Sequence, residues 1–237
     1  MLQETHLNEN ESLKLRQRWV GQIFSAPGNG ASRGTSILIS KKISFHHTDV
    51  IVDNSGRYII VSGILQHKKI TLINIYAPNS GQVEFLSKLA LLASKFVGDP
   101  ILLGGDMNLV NNPLLDRSSR PLPTDAALST ALDELQRLLG VTDVWRCANP
   151  LSREYTFYSK VQNSYSRIDY LLLSNSITEN VINSEIHTIL ISDHAPISVT
   201  FSPCFNVHKT KQWKFNNMLL WDKKFVAMIN VRISDFF

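Results

Sequence analysis

Pro100-Ile101-Leu102-Leu103-Gly104-Gly105-Asp106-Met107-Asn108 is the stretch that decides the fold. Its apolar start is short, unbroken and closed by glycines, which predicts a fully buried strand. Asp106 and Asn108 stand two apart at the strand's end, so an extended backbone points both to one side. A second stretch, Ile191-Ser192-Asp193-His194-Ala195-Pro196, sets an acid beside an imidazole. A carboxylate can orient and charge-stabilise a neighbouring His, as an acid/base step at a phosphorus centre requires. Both motifs place metal-capable side chains directly behind an apolar run, which is how a strand end presents chemistry.

Around these motifs, short β-branched runs predict strands over Thr35 to Ser40, Val50 to Asp53, Tyr58 to Leu65 and Ile70 to Tyr76. Gln66-His67-Lys68-Lys69 separates the last two and predicts a hairpin with a polar turn. Helical spacing recurs at Leu86, Leu89, Ala90, Ala93, Phe96 and Val97, and at Leu128, Ala131, Leu132, Leu135, Leu138 and Leu139. Both stripes read as core, the second stopping at Gly140. Asn111 through Thr124 reads as a long surface loop. Mixed strands with a few helices predict a two-sheet α/β sandwich.

At 237 residues, with 43% hydrophobic and 19% charged, the chain can hold one large domain or two small ones. Cys147 and Cys204 form neither a disulfide framework nor a zinc spacing, which points to a reducing, intracellular setting, nuclear or cytoplasmic. No run of 18 apolar residues or secretory leader stands in the sequence, so a soluble protein without a membrane partner is expected, most simply a monomer. The net charge of +4 sits in the tail after Phe205, leaving 18 charges of each sign in residues 1–204. Any grip on DNA there comes from local groups, with Arg117, Arg120, Arg153, Lys160 and Arg167 as candidates.

Two further segments complete the pattern: Leu2-Gln3-Glu4-Thr5-His6-Leu7, and Tyr165-Ser166-Arg167-Ile168-Asp169-Tyr170-Leu171-Leu172-Leu173. With the two motifs above, in this order, they resemble the endonuclease/exonuclease/phosphatase superfamily. The resemblance is closest to the endonuclease domain of LINE-type (non-LTR) retrotransposons and covers roughly residues 2 to 202. Leu72-Ile73-Asn74-Ile75-Tyr76-Ala77-Pro78-Asn79, Leu115-Asp116-Arg117-Ser118 and Tyr155-Thr156-Phe157-Tyr158-Ser159 fit the same family. The resemblance implies a DNase I-like fold, a DNA duplex as partner, and nicking that depends on Mg²⁺, with Mn²⁺ as the alternative ion. It also implies a reverse transcriptase domain in the parent polyprotein, towards which residues 203–237, a basic aromatic tail, would be a linker. An exonuclease III or AP endonuclease type of repair enzyme shares the same catalytic set. A phosphatase or lipid phosphodiesterase is disfavoured, because the sequence has no membrane-facing apolar loop or dense basic pocket.

Hydrolysing a phosphodiester requires neutralised phosphoryl oxygens, an oriented water and a stabilised leaving oxygen. On the resemblance, Glu4 is the foremost metal ligand, with Asp106, Asn108 and Asp193 completing the set, since Mg²⁺ takes one or two carboxylates and keeps waters. Asp106 would position or deprotonate the water, and Asn108 would donate to a phosphate oxygen without adding charge. His194, oriented by Asp193, would act as acid/base or stabilise the phosphorane. Tyr76 at a strand end would hydrogen-bond phosphate. Thr156, Asp169 and Ser192 would contact or support the phosphate, and Arg117 would bind DNA. His46 and His47 are not a metal pair, because neighbours on a strand face opposite ways. Family members begin with an extra strand bearing an Asn, whereas this sequence starts at Met1-Leu2-Gln3-Glu4. The expectation is therefore that the first catalytic strand is missing, and that the chain alone has weak or no nuclease activity.

Overall fold

The computed structural model describes residues 1–202, 226–228 and 230. The chain divides into two compact units, Met1–Pro203 and Cys204–Phe237, and the description below concerns the first. The linker reading of residues 203–237 lies almost wholly outside the described residues. No helix among them is long and apolar enough to cross a membrane.

In chain order the elements are α1 (Glu9–Ser12), α2 (Leu15–Arg18), β1 (Gly21–Ala26), β2 (Thr35–Ser40), β3 (Phe45–Val52), β4 (Tyr58–Leu65) and β5 (Lys68–Tyr76). After these come α3 (Gln82–Ala93), β6 (Ile101–Asp106), α4 (Asp125–Leu139), β7 (Val141–Asp143), α5 (Val144–Ala148), β8 (Phe157–Ser159) and β9 (Ser164–Ser166). β10 (Asp169–Ser174), α6 (Asn175–Thr178), β11 (Val181–Ile186) and β12 (Ile197–Phe201) complete the unit. Six strands form one sheet in the order β3-β4-β5-β6-β10-β7. Within it β5 and β6 run parallel, which needs a crossover, and α3 provides it.

Alternation along β4 and β5 builds two cores from one sheet. Tyr58, Ile60, Ile73 and Ile75 pack with Ile101 and Leu103 of β6 against Leu86 and Leu89 of α3 and Leu132 and Leu135 of α4. Ile59 and Val61 point the other way, into a cluster with Ala26, Ile37 and Ile39 of β1 and β2. Burying each such side chain stabilises the fold by about 1.5–3 kcal/mol. The result is the expected sandwich, with helices on one face of the large sheet and a smaller sheet on the other.

The start of the chain extends that smaller sheet. Leu2 donates its N–H to the Ser36 carbonyl at 2.8 Å and accepts the Ser36 N–H at 2.9 Å, and the Thr5 and His6 amides reach the carbonyls of Gly34 and Arg33. Asn74, fully buried on β5, ties the layers by donating Nδ2 to the Leu2 and Ser36 carbonyls while accepting from Gln3. Glu4 is thereby carried to the edge of the sandwich.

Several expectations are adjusted. β3 is longer than the expected run from Val50, starting at Phe45. The β4–β5 turn is tighter than the polar tetrapeptide, with only Gln66 and His67 between the strands, both at positive φ, the twist that suits a two-residue hairpin. Val97 and Leu138 drift off their stripes and are 52% and 54% exposed. The segment from Asn111 to Thr124 is not simply surface: Asp116 within it is fully buried.

Candidate active site

Asp106 is delivered by a backbone shape that only glycine allows. Gly105 has φ +135, and a Cβ there would lie 2.0 Å from the Ile75 carbonyl oxygen. β6 can therefore press against β5, which sets Asp106 in register with Tyr76 on one side and Asp169 of β10 on the other. Beyond the strand, Asn108 takes positive φ and folds back, its N–H donating to Asp106 Oδ1 at 2.8 Å and its Nδ2 to the Ala77 carbonyl at 2.8 Å.

From this centre a line of contacts runs to both sides. Tyr76 donates its hydroxyl to Glu4 Oε1. Across the sheet, Asp169 Oδ2 lies 2.9 Å from His194 Nδ1. Glu4, Asp106, Asp169, Ser192, Asp193 and His194 line one open cleft of about 900 Å³. Burial, followed by the charge of Asp169, pushes the Asp106 carboxyl up to about 7, even though His194 and the Asn108 N–H pull it down. Burial alone would lower the His194 imidazole, but the hydrogen bond and charge of Asp169, then Asp106 and Asp193, push it up to about 9. Burial and the bond to Glu4 push the Tyr76 phenol up to about 12, so it stays a donor.

The structure corrects four sequence readings. His194 is oriented by Asp169 and not by Asp193, whose carboxylate instead accepts from Ser192 on the exposed lip. Thr156 is fully buried, with its hydroxyl oxygen taken by the Ile168 and Asp169 amides at 3.0 and 3.1 Å, so it does not face a phosphate. Arg117 forks onto Asp125 at 2.9 and 3.3 Å and is not a free DNA contact. Arg167 is 1% exposed, with Nε and Nη2 on Asp116 at 2.8 and 3.1 Å and Nη1 on Asp143 at 2.6 Å. Arg146 completes this network by donating to Asp116. Of the basic candidates, Arg120, Arg153 and Lys160 are exposed.

Ser192 sits beside the site, its hydroxyl accepting the His194 N–H at 2.9 Å. Of the site residues named from sequence, Glu4, Asp106, Asp169, Ser192, Asp193 and His194 line the cleft, Tyr76 and Asn108 adjoin it through their bonds to Glu4 and Asp106, and Thr156 and Arg117 lie outside it. Among the described residues, no three His, Cys, Asp or Glu side chains form a ready metal cage. The oxygen donors named from sequence, carboxylates of Glu4, Asp106 and Asp193 and the amide of Asn108, are of the chemical type a hard cation takes while keeping several waters. The Asp106 carboxyl is raised first by burial and then by the charge of Asp169, and a cation beside it would offset both.

Residues 1–194 match the Endonuclease/Exonuclease/phosphatase family. The Xenopus laevis "Transposon TX1 uncharacterized 149 kDa protein" is 28% identical over 96% of this chain, and the Drosophila melanogaster "Recombination repair protein 1" is 29% identical over 63%. The chain spans 18% and 24% of the length of these two relatives. Among solved structures, the AP endonuclease LMAP from Leishmania major superposes with a TM-score of 0.71 at 18% identity, covering 85% of this chain and 78% of that one. The Neisseria 3' phosphatase NExo bound to product DNA hairpin gives 0.65 at 18% identity, with 85% and 87% covered. These likenesses establish the DNase I-like fold.

Proposed function

Because the chain belongs to the endonuclease/exonuclease/phosphatase family, we propose that its cleft hydrolyses phosphodiester bonds of duplex DNA, nicking one strand as a retroelement endonuclease does. The observation that carries this reading is the series Glu4–Tyr76–Asp106–Asp169–His194 across neighbouring strands, with its carboxylates and imidazole lining one cleft. A bound Mg²⁺, or Mn²⁺, would supply charge neutralisation at the phosphoryl and leaving oxygens, held by Glu4 with Asp106, Asn108 and Asp193. Asp106 orients the attacking water and takes its proton. Asn108 spends one amide N–H on Ala77 and keeps the other for a phosphate oxygen. Tyr76 stays protonated and directs its one hydroxyl proton to Glu4, orienting that carboxylate. His194, held by Asp169, presents positive charge to the phosphorane or a proton to the leaving oxygen.

Lys160 and Arg153 flank the β8–β9 hairpin, where Tyr155, Tyr158 and Tyr165 cluster with ring centroids 5.9 and 4.7 Å apart. We assign duplex contacts to this face, because basic groups beside aromatic rings suit a nucleic acid. The 96% coverage by the transposon relative favours the retroelement role over repair. In that role the chain belongs to a larger parent that also carries a reverse transcriptase, with residues 203–237 as the linker and the cell's interior as the setting.

The test is nicking of supercoiled plasmid with Mg²⁺ and with EDTA, alongside cleavage of an intact A/T-rich duplex and an abasic duplex. Mg²⁺-dependent nicking of the intact duplex is expected, weak for this chain alone, and Mg²⁺ should raise the melting temperature. Cleavage confined to the abasic duplex would replace this reading with the repair enzyme. No nicking and no Mg²⁺-induced stabilisation would refute it.

A further inference from the structure

Thr156 joins the two segments that carry the Asp169–His194 pair. Its side-chain oxygen accepts the backbone N–H of Ile168 at 3.0 Å and of Asp169 at 3.1 Å. Its own carbonyl accepts the Ala195 N–H at 2.6 Å, and its N–H reaches the Ser166 carbonyl at 3.0 Å. The next residues continue the link: Phe157 bridges to His194, and the Tyr158 N–H donates to the Asp193 carbonyl at 3.0 Å. Thr156 is fully buried, so both lone pairs of its hydroxyl oxygen are committed to these amides and none faces the cleft.

We propose that Thr156 is a positioning residue that fixes the Asp169 carboxylate against His194 Nδ1, rather than a ligand of the substrate. The Asp169–His194 hydrogen bond spans two segments 25 positions apart, and neither touches the other through a regular strand ladder. Thr156 is the residue that bonds both segments, through its side chain on the Asp169 side and its backbone on the His194 side, with β6 holding β10 in register and Phe157 and Tyr158 extending the link. Valine matches threonine in shape but lacks the acceptor, so Thr156→Val would strand two buried amides and free the start of β10 to shift. Serine keeps the acceptor. Catalytic geometry tolerates little such movement, a shift near 1 Å costing on the order of 100-fold in rate. The consequence for turnover rests on the proposed hydrolysis; the positioning role does not.

The test therefore has an arm that needs no activity. In the unaltered chain, NMR should show a hydrogen-bonded, downfield His194 Nδ1 proton and slow exchange of the Ile168 and Asp169 amides. Fast exchange of those amides overturns the proposal even if the valine variant fails to fold. Thr156→Val should lose the downfield proton, and Thr156→Ser should retain it. In the nicking assay the valine variant should lose kcat on the order of 100-fold with KM nearly unchanged, and serine should restore most of it. A raised KM with unchanged kcat would make Thr156 a substrate contact, and a serine variant as poor as valine would shift the role to the methyl group. Either outcome refutes the proposal. If the wild-type chain does not nick DNA, the NMR arm still decides it.

Discussion

Replacing Arg167 with methionine should be among the most destabilising single changes in the chain. The guanidinium makes three hydrogen bonds to Asp116 and Asp143. It also lies over the rings of Trp145 and Tyr170, at 5.1 and 4.5 Å. Without it, Asp116, whose side chain is wholly buried, keeps Arg146 and the Asn112 N–H, and Asp143 keeps the Arg146 backbone N–H but no cation. Breaking a buried pair by removing one partner costs about 3–5 kcal/mol, because the remaining charge is neither paired nor hydrated. For a domain of this size each kcal/mol moves the melting temperature by roughly 2–4 °C, so the expected drop is about 6–20 °C. Arg167→Lys should fall in between, since one ammonium cannot fork across two carboxylates. Lys95→Met is the control: its pair with Asp49 at 3.4 Å is half-exposed on both sides and contributes about 0–1 kcal/mol. Differential scanning calorimetry at low and at high salt measures all three. A drop below about 3 °C for Arg167→Met, or one that disappears at high salt, would refute the view that this is a buried, unscreened network.

Asp169→Asn should lower the nicking kcat by on the order of 100-fold or more, as expected when an acid/base group loses the partner that orients and charges it. A silent Asp169→Asn with His194→Ala inactive would show that the 2.9 Å contact does no catalytic work. Arg117→Ala should destabilise the fold by about 1.5–3 kcal/mol through its lost fork onto Asp125, yet leave the salt dependence of DNA binding unchanged. Lys160→Ala should do the reverse, reducing the salt slope by about 1 with little effect on melting; fluorescence anisotropy across a salt series separates the two. Burial and then Asp143 push the Cys147 thiol up, so less of it is thiolate at pH 8 than in free cysteine. Alkylation followed by peptide mass spectrometry should therefore find Cys147 slow to react, and a rate equal to free cysteine would contradict that environment.

Strands β2 and β4 to β6, part of β3, helices α3 and α4 and the positions of Asp106 and Asn108 were legible because they depend on local signals: apolar runs, glycines and helical spacing. The partner of His194 was not legible in that way. Side chains adjacent along an extended segment face opposite ways, which is why His46 and His47 were set aside as a metal pair. Asp193 stands in the bend before His194, where sequence adjacency does not fix the direction of either side chain, and the partner of His194 is Asp169, brought in by the register of β10 on β6. Arg167 was misread because an arginine in a polar stretch is usually solvated. Only the tertiary meeting of Asp116 and Asp143, 51 and 24 positions away, makes its burial tolerable. Thr156 was read through the resemblance as a phosphate contact, since sequence shows a hydroxyl but not which amides surround it.

Two groups of carboxylates in this fold are treated in opposite ways, and the contrast bears on what the cleft is for. Asp116 and Asp143 meet Arg146 and Arg167, so their charges cancel within the protein and nothing further is required. Glu4, Asp106, Asp169 and Asp193 share a cleft with His194 as the cation among the six residues named there, and the arginine compensation found nearby is not repeated. A surface of that sign repels a phosphate backbone, and the charge of Asp169 adds to burial in raising the proton affinity of Asp106 towards neutrality. A chain able to place arginines beside buried acids a few residues from Asp169 has left these acids open. Negative charge beyond what the Asp169–His194 pair balances is what a divalent cation needs in order to bind, and the cation in turn is what makes the approach of an anionic duplex favourable.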